Sequence, residues 1–224
     1  MTIGTVGLMP ESVKRRYHSR VRSEQATATR QAVLRSAREH FTTQGYAATG
    51  VADIAAAAGV NVDTVYASVG RKPQLMLAVI DMALGSSDEP VGVDERDYVR
   101  AIRSAGSARS KLIVYAQALG RIMPRVAPLF DALGQAALVD PECAQLRDHL
   151  AQRRRANMSL FAADLRSTGQ LRDELSDDDV ADLIWATNAP EFFSRITAQD
   201  WTPERYVALL TDLWIRTLLR TPER

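Results

Sequence analysis

The sequence predicts an all-α protein, and three of its features support that prediction. Apolar residues recur at the spacing of a helix face, for example at Val33, Ala37 and Phe41. Glycines and helix-capping side chains separate these segments, as Gly45 and Asn61 do. No segment alternates apolar and polar residues as a half-buried strand would, and the sequence contains no Asn-Gly hairpin turn. We therefore expect about nine helices, arranged as an N-terminal three-helix domain followed by a helical C-terminal domain.

The N-terminal part divides at glycines and caps. Residues 1–22 lack an apolar period and contain a run of Lys and Arg, so they are predicted to form a flexible basic arm. A helix is expected from about Ser23 to Gly45, since glycine is favoured just past a helix C-terminus. Thr49 is the predicted N-cap of a short second helix, and Asn61 is the predicted N-cap of a third.

The helical pattern continues beyond residue 70. Pro73 fits the first turn of a helix that ends near Leu84, and the polar residues 86–93 are the predicted domain boundary. Further on, Ser176 and Thr202 precede acidic residues in the manner of N-caps. Prolines are expected to interrupt the middle helices. The later helices are predicted at 94–104, 108–122, 125–138, 142–168, 177–197 and 203–220, and the predicted domains are 1–22, 23–85 and 86–224.

The composition is that of an ordinary globular protein. Of the 224 residues, 25% are charged and 46% are hydrophobic, which excludes wholesale disorder. The single cysteine, Cys143, excludes an intramolecular disulfide framework and a Cys-rich zinc site. The apolar runs are shorter than the roughly 20 residues that span a membrane, and the start of the chain lacks the apolar core of a signal peptide. We therefore expect a cytoplasmic protein with no membrane partner.

The net charge of +1 conceals a difference between the two parts of the chain. Residues 1–80 carry ten Lys and Arg against five Asp and Glu, whereas residues 81–224 carry 18 against 22. A basic N-terminal part on a slightly acidic remainder indicates an anionic partner for the N-terminal part alone.

The residue types of common catalytic and metal sites are scattered along the chain. The three histidines, His18, His40 and His149, have neither HxxxH nor HExxH spacing. The glycine motifs of nucleotide-binding folds and the GxSxG motif of hydrolases do not occur. The acidic run 177–179 fits helix capping better than a metal site, because adjacent helical residues point in different directions. We therefore expect no enzymatic activity, no metal and no cofactor.

Residues 49–72 have the sequence form of a helix-turn-helix, in which two short helices meet at a glycine-containing turn, with alanines where they cross. Apolar residues of both helices are expected to bury against the first helix and so hold the second one rigid for insertion into a major groove. The expected core residues are Val33, Leu34, Ala37, Phe41, Val51, Ile54, Ala55, Val60 and Val65. The pattern predicts binding to double-stranded DNA, with a generic alanine-rich helical hairpin as the alternative.

The segment ADIAAAAGVNVDTVYASVGRKPQLMLAVI, residues 52–80, resembles the DNA-binding domain of the TetR family of one-component transcriptional regulators. It supplies the family's Ile-Ala, Ala-Gly-Val, Thr-hydrophobic-Tyr and Lys positions. It departs from the family pattern at Val69, where Phe is usual, and at Asn61, where Ser or Thr is common. The resemblance is strong over about residues 27–84 and weaker in the C-terminal part, and it implies a DNA-binding regulator.

Contacts to DNA phosphates are expected at both ends of the helix-turn-helix. The N-terminus of its first helix, at Thr49 and Gly50, can donate hydrogen bonds to a phosphate. The resemblance implies phosphate contacts from Tyr66 and Lys72, and a base or backbone contact from Thr64.

Base contacts are expected from the exposed variable positions of the recognition helix, Val62, Asp63 and Ser68. An aspartate can accept a hydrogen bond from a cytosine amino group, and valine can meet a thymine methyl group. Asp63 equally fits a cap of the first helical turn. Arg15 and Arg16 of the predicted arm are expected to reach a phosphate or the minor groove.

The resemblance also implies that the C-terminal part binds a small molecule and forms a homodimer, which would place two recognition helices about 34 Å apart on a palindromic operator. Aromatic and methionine side chains favour a hydrophobic, flat effector, with Arg121, Asn157 and Asn188 available for a polar group. The expected pocket residues are Tyr115, Leu119, Met123, Phe130, Met158, Phe161, Trp185, Asn188 and Phe192. The expected dimer residues are Leu183, Ile196, Tyr206, Leu210 and Leu213.

The effector is expected to change the angle of the helix at 73–84 and thereby move the recognition helices out of groove spacing. The resulting prediction is a ligand-responsive repressor. An activator or global regulator of the same fold remains open, as does a small-molecule-binding helical protein with a vestigial DNA domain. A monomer that buries the last helices in its own core is the alternative to the dimer.

Overall fold

The computed structural model describes residues 11–85 and 92–220, and it describes their side chains from Arg22 onward, except Val93. Eleven α-helices and one 3-10 turn make up this part of the chain, and it contains no β-strand, only an isolated bridge between Leu171 and Leu219. The all-α prediction is therefore confirmed. The helices are α1 (Glu11–Thr43), α2 (Gly45–Ala48), α3 (Val51–Ala57), α4 (Val62–Ser68), α5 (Lys72–Gly85), α6 (Asp97–Ser104), α7 (Ala108–Ala136), α8 (Pro141–Arg166), α9 (Asp177–Thr187), α10 (Pro190–Thr197) and α11 (Pro203–Leu218).

The first helix is longer than predicted. It begins at Glu11, so residues 11–22 continue α1 and do not form the flexible arm that was expected of them. Pro10 is the last helix breaker before this segment, and Arg, Lys and Ser in the segment tolerate helical backbone even without an apolar face. Residues 1–10 of the predicted arm and most of the predicted boundary at 86–93 lie outside the described residues.

Helix α7 is continuous although it contains Pro124 and Pro128, so the predicted interruption between residues 122 and 125 is wrong. A proline inside a helix costs roughly 3 kcal/mol. Helix α7 buries sixteen residues along its length, and these lie on both sides of the two prolines. The burial of that much side-chain surface exceeds the cost of the prolines.

The helix predicted over 177–197 is two helices, α9 and α10, and a single proline explains the difference. Pro190 has no backbone N–H, and its ring favours extended backbone at Ala189, where ψ is 137°. The break turns the side chain of Asn188 into the protein interior, where it is 1% exposed. The predicted caps Ser176 and Thr202 are confirmed, because each side-chain oxygen accepts a backbone N–H in the first turn of its helix.

Two apolar cores hold the helices together. The first joins α1–α5 to the near ends of α7 and α8, and the second joins α6–α11. The predicted helix-turn-helix core is confirmed, with seven of its residues buried and Val51 and Val60 half-buried against them. Since Leu129, Leu133 and Leu150 of the C-terminal helices belong to the first core, the two parts of the chain share buried surface.

Candidate functional site

Helix α4, the predicted recognition helix, is fixed by one buried side chain and one cap. Val65 is fully buried against α1 and α3. At the N-terminus, Asn61 Oδ1 accepts hydrogen bonds from the backbone N–H and from the hydroxyl of Thr64, both at 2.7 Å. The predicted Asn61 cap is therefore confirmed. The opposite side of α4 is open to solvent, with Asp63 exposed and Tyr66 47% exposed.

The other α4 side chains expected to contact DNA pack or form hydrogen bonds within the protein. Val62 is half-buried against the first core. The Thr64 hydroxyl is held by Asn61, and the Ser68 hydroxyl donates to the carbonyl oxygen of Val65 at 3.1 Å. Among the predicted base-reading residues, Asp63 is the one whose side chain projects freely from the helix.

Thr49 does not cap α3 as predicted. It is 1% exposed, and its hydroxyl donates to the carbonyl oxygen of Gly45 at 2.7 Å. Gly50 is the N-cap residue instead, and its backbone N–H donates to Asp53 Oδ2 at 3.1 Å. A hydroxyl contact from Thr49 to a phosphate would require breaking this buried hydrogen bond, so the structure provides no geometry for that contact.

Lys72 and Tyr66 border one groove between the helix-turn-helix and the start of α8. Lys72 Nζ lies 4.2 Å from the centroid of the Tyr46 ring, and partial burial lowers the pKa of Lys72. Arg71 is 75% exposed and lies 3.7 Å from the Glu142 carboxylate. Sequence reasoning missed Arg71, although its position beside Lys72 was a signal. The side chains of the expected Arg15 and Arg16 contacts lie outside those described.

A cavity of about 410 Å³ lies between α6, α7 and α8, within the size range of small-molecule sites. The exposed side chains of Arg103 and Leu160 belong to its wall, so the cavity opens to solvent between α6 and α8. Seven of the nine predicted pocket residues line it, namely Tyr115, Leu119, Met123, Phe130, Met158, Phe161 and Asn188.

The two remaining pocket residues lie elsewhere. Trp185 Nε1 donates to the carbonyl oxygen of Ala151 at 3.3 Å, and its ring packs against the guanidinium of Arg154. Phe192 packs against Tyr206 in the second core, with ring centroids 6.4 Å apart. Asn157 lines the cavity as expected, whereas Arg121 is exposed on α7 and does not line it.

Aromatic rings and one amide form the deep wall of the cavity. The Tyr115 ring stacks on Tyr98 with centroids 6.3 Å apart, and Phe161 meets it edge-on at 5.2 Å. Asn188 Nδ2 donates to the Tyr115 hydroxyl at 2.8 Å, and Asn188 Oδ1 accepts from Arg154. Burial raises the pKa of Tyr115, so this hydroxyl stays neutral.

Helix α5 connects the cavity to the helix-turn-helix. Leu84, in its last turn, lines the cavity, and Asp81 forms ion pairs with two further lining residues, at 2.7 Å to Arg153 and 3.6 Å to Arg96. The N-terminal end of the same helix carries Lys72 beside the recognition helix. Sequence reasoning missed Asp81, Arg96 and Arg153, because residues from α5, α8 and the turn before α6 meet only in the folded protein.

Two of the five expected dimer residues are unavailable to a partner. Tyr206 and Leu210 are fully buried in the second core of their own chain, so their assignment to a dimer surface is wrong. Their period on α11 matches that of Trp214 and Leu218, which face the same core. Leu183, Ile196 and Leu213 are half-buried and retain surface.

The part of the chain that the structure describes contains no helix with both the length and the apolar character needed to cross a membrane.

Comparison with known proteins finds a family match in the N-terminal region. Residues 33–79 match the family model described as bacterial regulatory proteins, tetR family, which confirms the resemblance seen in the sequence. The sequence matches none of the curated proteins.

Solved structures, among them one of a TetR transcriptional regulator, share the fold over most of the chain. A TetR transcriptional regulator from Chloroflexus aurantiacus is 20% identical, with a TM-score of 0.64, and the match covers 88% of this chain and 100% of that one. NalD, the secondary repressor of a multidrug efflux pump in Pseudomonas aeruginosa, is 17% identical, with a TM-score of 0.64 and coverage of 89% and 100%. The SmeT–triclosan complex is 16% identical, with a TM-score of 0.67 and coverage of 87% and 93%. At these identities the likeness establishes the fold alone.

Proposed function

We propose that this chain, whose residues 33–79 match the family model of the tetR family of bacterial regulatory proteins, is a ligand-responsive transcriptional repressor. It binds a palindromic operator as a homodimer and leaves it when a small effector enters the cavity. It acts in the cytoplasm by binding alone, without chemistry on either partner.

The exposed side of α4 supports DNA recognition. Asp63 and Tyr66 project from a helix whose other side is held by Val65 and whose first turn is closed by Asn61. A rigid helix of this kind presents side chains to base edges without an ordering cost at binding. The cations of residues 1–80 supply the attraction to phosphates.

The observation that carries the regulatory part of the proposal is the course of α5. One helix contributes Leu84 and Asp81 to the surroundings of the cavity and Lys72 to the surroundings of the recognition helix. A ligand that fits only one position of the α5 C-terminal end shifts the population toward that position. Because α5 is continuous, its N-terminal end and the helix-turn-helix that packs on it move as well.

The proposal that the protein is a repressor has one further support, since NalD, a protein of the same fold, is described as a repressor. The dimer is proposed from the half-buried apolar residues Leu183, Ile196 and Leu213, which retain surface on α9–α11. A twofold dimer would present two recognition helices about 34 Å apart, which matches successive major grooves.

The test is selection of bound duplexes from a random DNA pool with purified full-length protein at physiological salt. Recovery of a palindrome is the expected result, and addition of an effector should then release that duplex in a mobility-shift assay. Recovery of no sequence above background would contradict the regulator and favour a small-molecule-binding protein with a vestigial DNA domain. A palindrome bound more tightly in the presence of effector would overturn the repressor assignment in favour of a ligand-dependent binder.

A further inference from the structure

The charges around the cavity are unbalanced. Its wall contains the four arginines Arg96, Arg103, Arg153 and Arg154 and a single aspartate, Asp164. Asp164 is already neutralised by Lys111, whose Nζ lies 2.8 Å away. Arg103 is an exposed residue at the mouth and pairs with Asp94. The three remaining guanidinium groups therefore determine the charge of the interior.

Asp81 is the one carboxylate of the described residues that pairs with any of these three groups. It lies 2.7 Å from Arg153 but 3.6 Å from Arg96, so Arg153 has the closer contact. Arg154 forms no ion pair within the described part of the chain, and it donates to the carbonyl oxygen of Trp185 and to Asn188 Oδ1. Within ion-pair distance the three guanidinium groups thus share one carboxylate, and the Glu191 carboxylate acts on Arg154 only from beyond that distance.

Arg96 is the least satisfied of the three. Its side chain is 6% exposed, and its Nε is buried with no hydrogen-bond partner among the described residues. Its other contacts are the distant Asp81 oxygen and the Tyr98 hydroxyl at 3.4 Å. A buried guanidinium N–H without an acceptor is costly, and an acceptor supplied by a ligand removes that cost.

Arg154 is half-buried, and this burial lowers its pKa although the nearby Glu191 charge opposes the shift. Its carbonyl partners are neutral, so they satisfy hydrogen bonds without cancelling its charge. Guanidinium groups pair with carboxylates and other oxyanions through short, charge-assisted hydrogen bonds. The apolar and aromatic wall formed by Tyr98, Leu119 and Phe161 suits the remainder of such a molecule.

We infer that the effector is an amphipathic organic anion, with its acidic group held by Arg96 and Arg154 and its apolar body against the aromatic wall. This inference rests on the proposed ligand-responsive function and names the ligand class. It also specifies the link to α5, because an anion beside Arg96 competes with Asp81 for that arginine and loosens the contact between α5 and the cavity.

The test uses two fluorescent probes that differ in one acidic group. The anion 8-anilino-1-naphthalenesulfonate and the neutral N-phenyl-1-naphthylamine share their aromatic body, and both are titrated into the full-length protein. We expect the anion to bind at least about tenfold more tightly, as a charge-assisted contact out of water should provide. Arg154→Gln and Arg96→Gln should abolish this preference while leaving the affinity for the neutral probe within about twofold.

Two further variants keep the result interpretable. Arg155→Gln is the matched control for Arg154→Gln, because the neighbouring Arg155 pairs with Asp178 and Asp182 on α9 and does not line the cavity. It should change the affinity for neither probe. Asp81→Asn removes the competing carboxylate, so this variant should bind the anion more tightly than the unmodified protein does. The anion should therefore raise the Tm of the Asp81→Asn variant by more than it raises the Tm of the unmodified protein.

Equal affinity for the two probes, or an anion preference that survives both arginine substitutions, would overturn the inference and leave the ligand-responsive regulator intact. Weaker anion binding by Asp81→Asn would also overturn it, because Asp81 would then support the site and not compete with it. If neither probe binds, the effector part of the proposed function fails together with the inference. Release of a selected operator duplex by the anionic probe alone would support both.

Discussion

The recognition helix and the cavity are built in different ways, although they lie at the two ends of α5. The position of α4 depends on contacts close in sequence, since Asn61 caps it and Gly59 makes the preceding turn with φ at 69°, a conformation that favours glycine. The cavity wall is assembled from α5, α6, α7 and α8, and its polar contacts join residues as far apart as Tyr115 and Asn188. A DNA-reading surface can therefore be specified by a short motif, whereas a ligand site requires the whole fold.

The largest effect is expected where long-range packing is deepest. Leu210→Glu places a carboxylate in the second core, where Leu210 is fully buried, and should lower the free energy of unfolding by about 4 kcal/mol or more. Thermal unfolding followed by circular dichroism measures this loss. Leu213→Glu, on the half-buried side of the same helix, should stay folded and weaken the dimer in sedimentation. If Leu210→Glu instead gives a folded monomer, Leu210 belongs to the dimer interface and its assignment to the core is wrong.

A second test concerns the crossing of α7 and α11. An added methyl group at Gly120 would lie 2.4 Å from Val207 Cγ2, so Gly120→Ala should cost about 1–3 kcal/mol through overpacking. Gly134 lies in the same helix with no atom within 4 Å of the added group, and Gly134→Ala should stabilise by about 0.5–1 kcal/mol. Denaturant titration gives both values. Equal effects of the two substitutions would mean that the helices do not cross at Gly120.

Matched cap removals compare the two regions directly. Asn61 caps α4 and Ser176 caps α9, each by accepting a backbone N–H in the first turn, so Asn61→Ala and Ser176→Ala should each cost about 1 kcal/mol. Only Asn61→Ala should weaken operator binding, because α4 frays at the end that enters the groove. Affinity in a mobility-shift assay separates the variants, and an equal loss for both would indicate that DNA binding follows overall stability.

The smallest effects are expected on the exposed side of α4. Tyr66→Phe removes one hydroxyl contact and should weaken binding to all sequences alike, by less than about tenfold. Asp63→Ala should instead change which operator is preferred, because Asp63 is the freely projecting candidate for base contact. Repeating the duplex selection with each variant measures both. A changed preference for Tyr66→Phe with an unchanged one for Asp63→Ala would reverse the two roles.

The parts of the fold that depend on neighbouring residues were predictable. The Asn61, Ser176 and Thr202 caps and the helix-turn-helix core follow from local pattern. The N-cap of α3 was misassigned to Thr49 because Thr49 and Gly50 are adjacent candidates for that position. In the structure the Gly50 backbone N–H donates to the Asp53 carboxylate, whereas the Thr49 hydroxyl donates to the carbonyl oxygen of Gly45.

Other features depend on partners that are distant in sequence. The continuity of α7 through two prolines follows from burial against other helices, and the inward side of α11 is set by the core of α6–α11. Apolar residues at helical spacing indicate that a helix has a buried face, but they do not indicate whether the same chain or a second one covers it. For this reason Tyr206 and Leu210 were misplaced, and Asp81, Arg96 and Arg153 were not recognised as a cluster.

The contact between Trp185 and Arg154 gives the protein an internal optical reporter. The guanidinium carbon lies 4.9 Å from the centroid of the Trp185 ring, and a nearby positive charge influences the emission wavelength of an indole. A molecule that draws Arg154 toward the cavity would alter that emission, while Trp214 stays fully buried and Trp201 stays under Arg205. Occupancy of the site could then be followed in the unlabelled protein, with Trp185→Phe as the variant in which the signal should disappear.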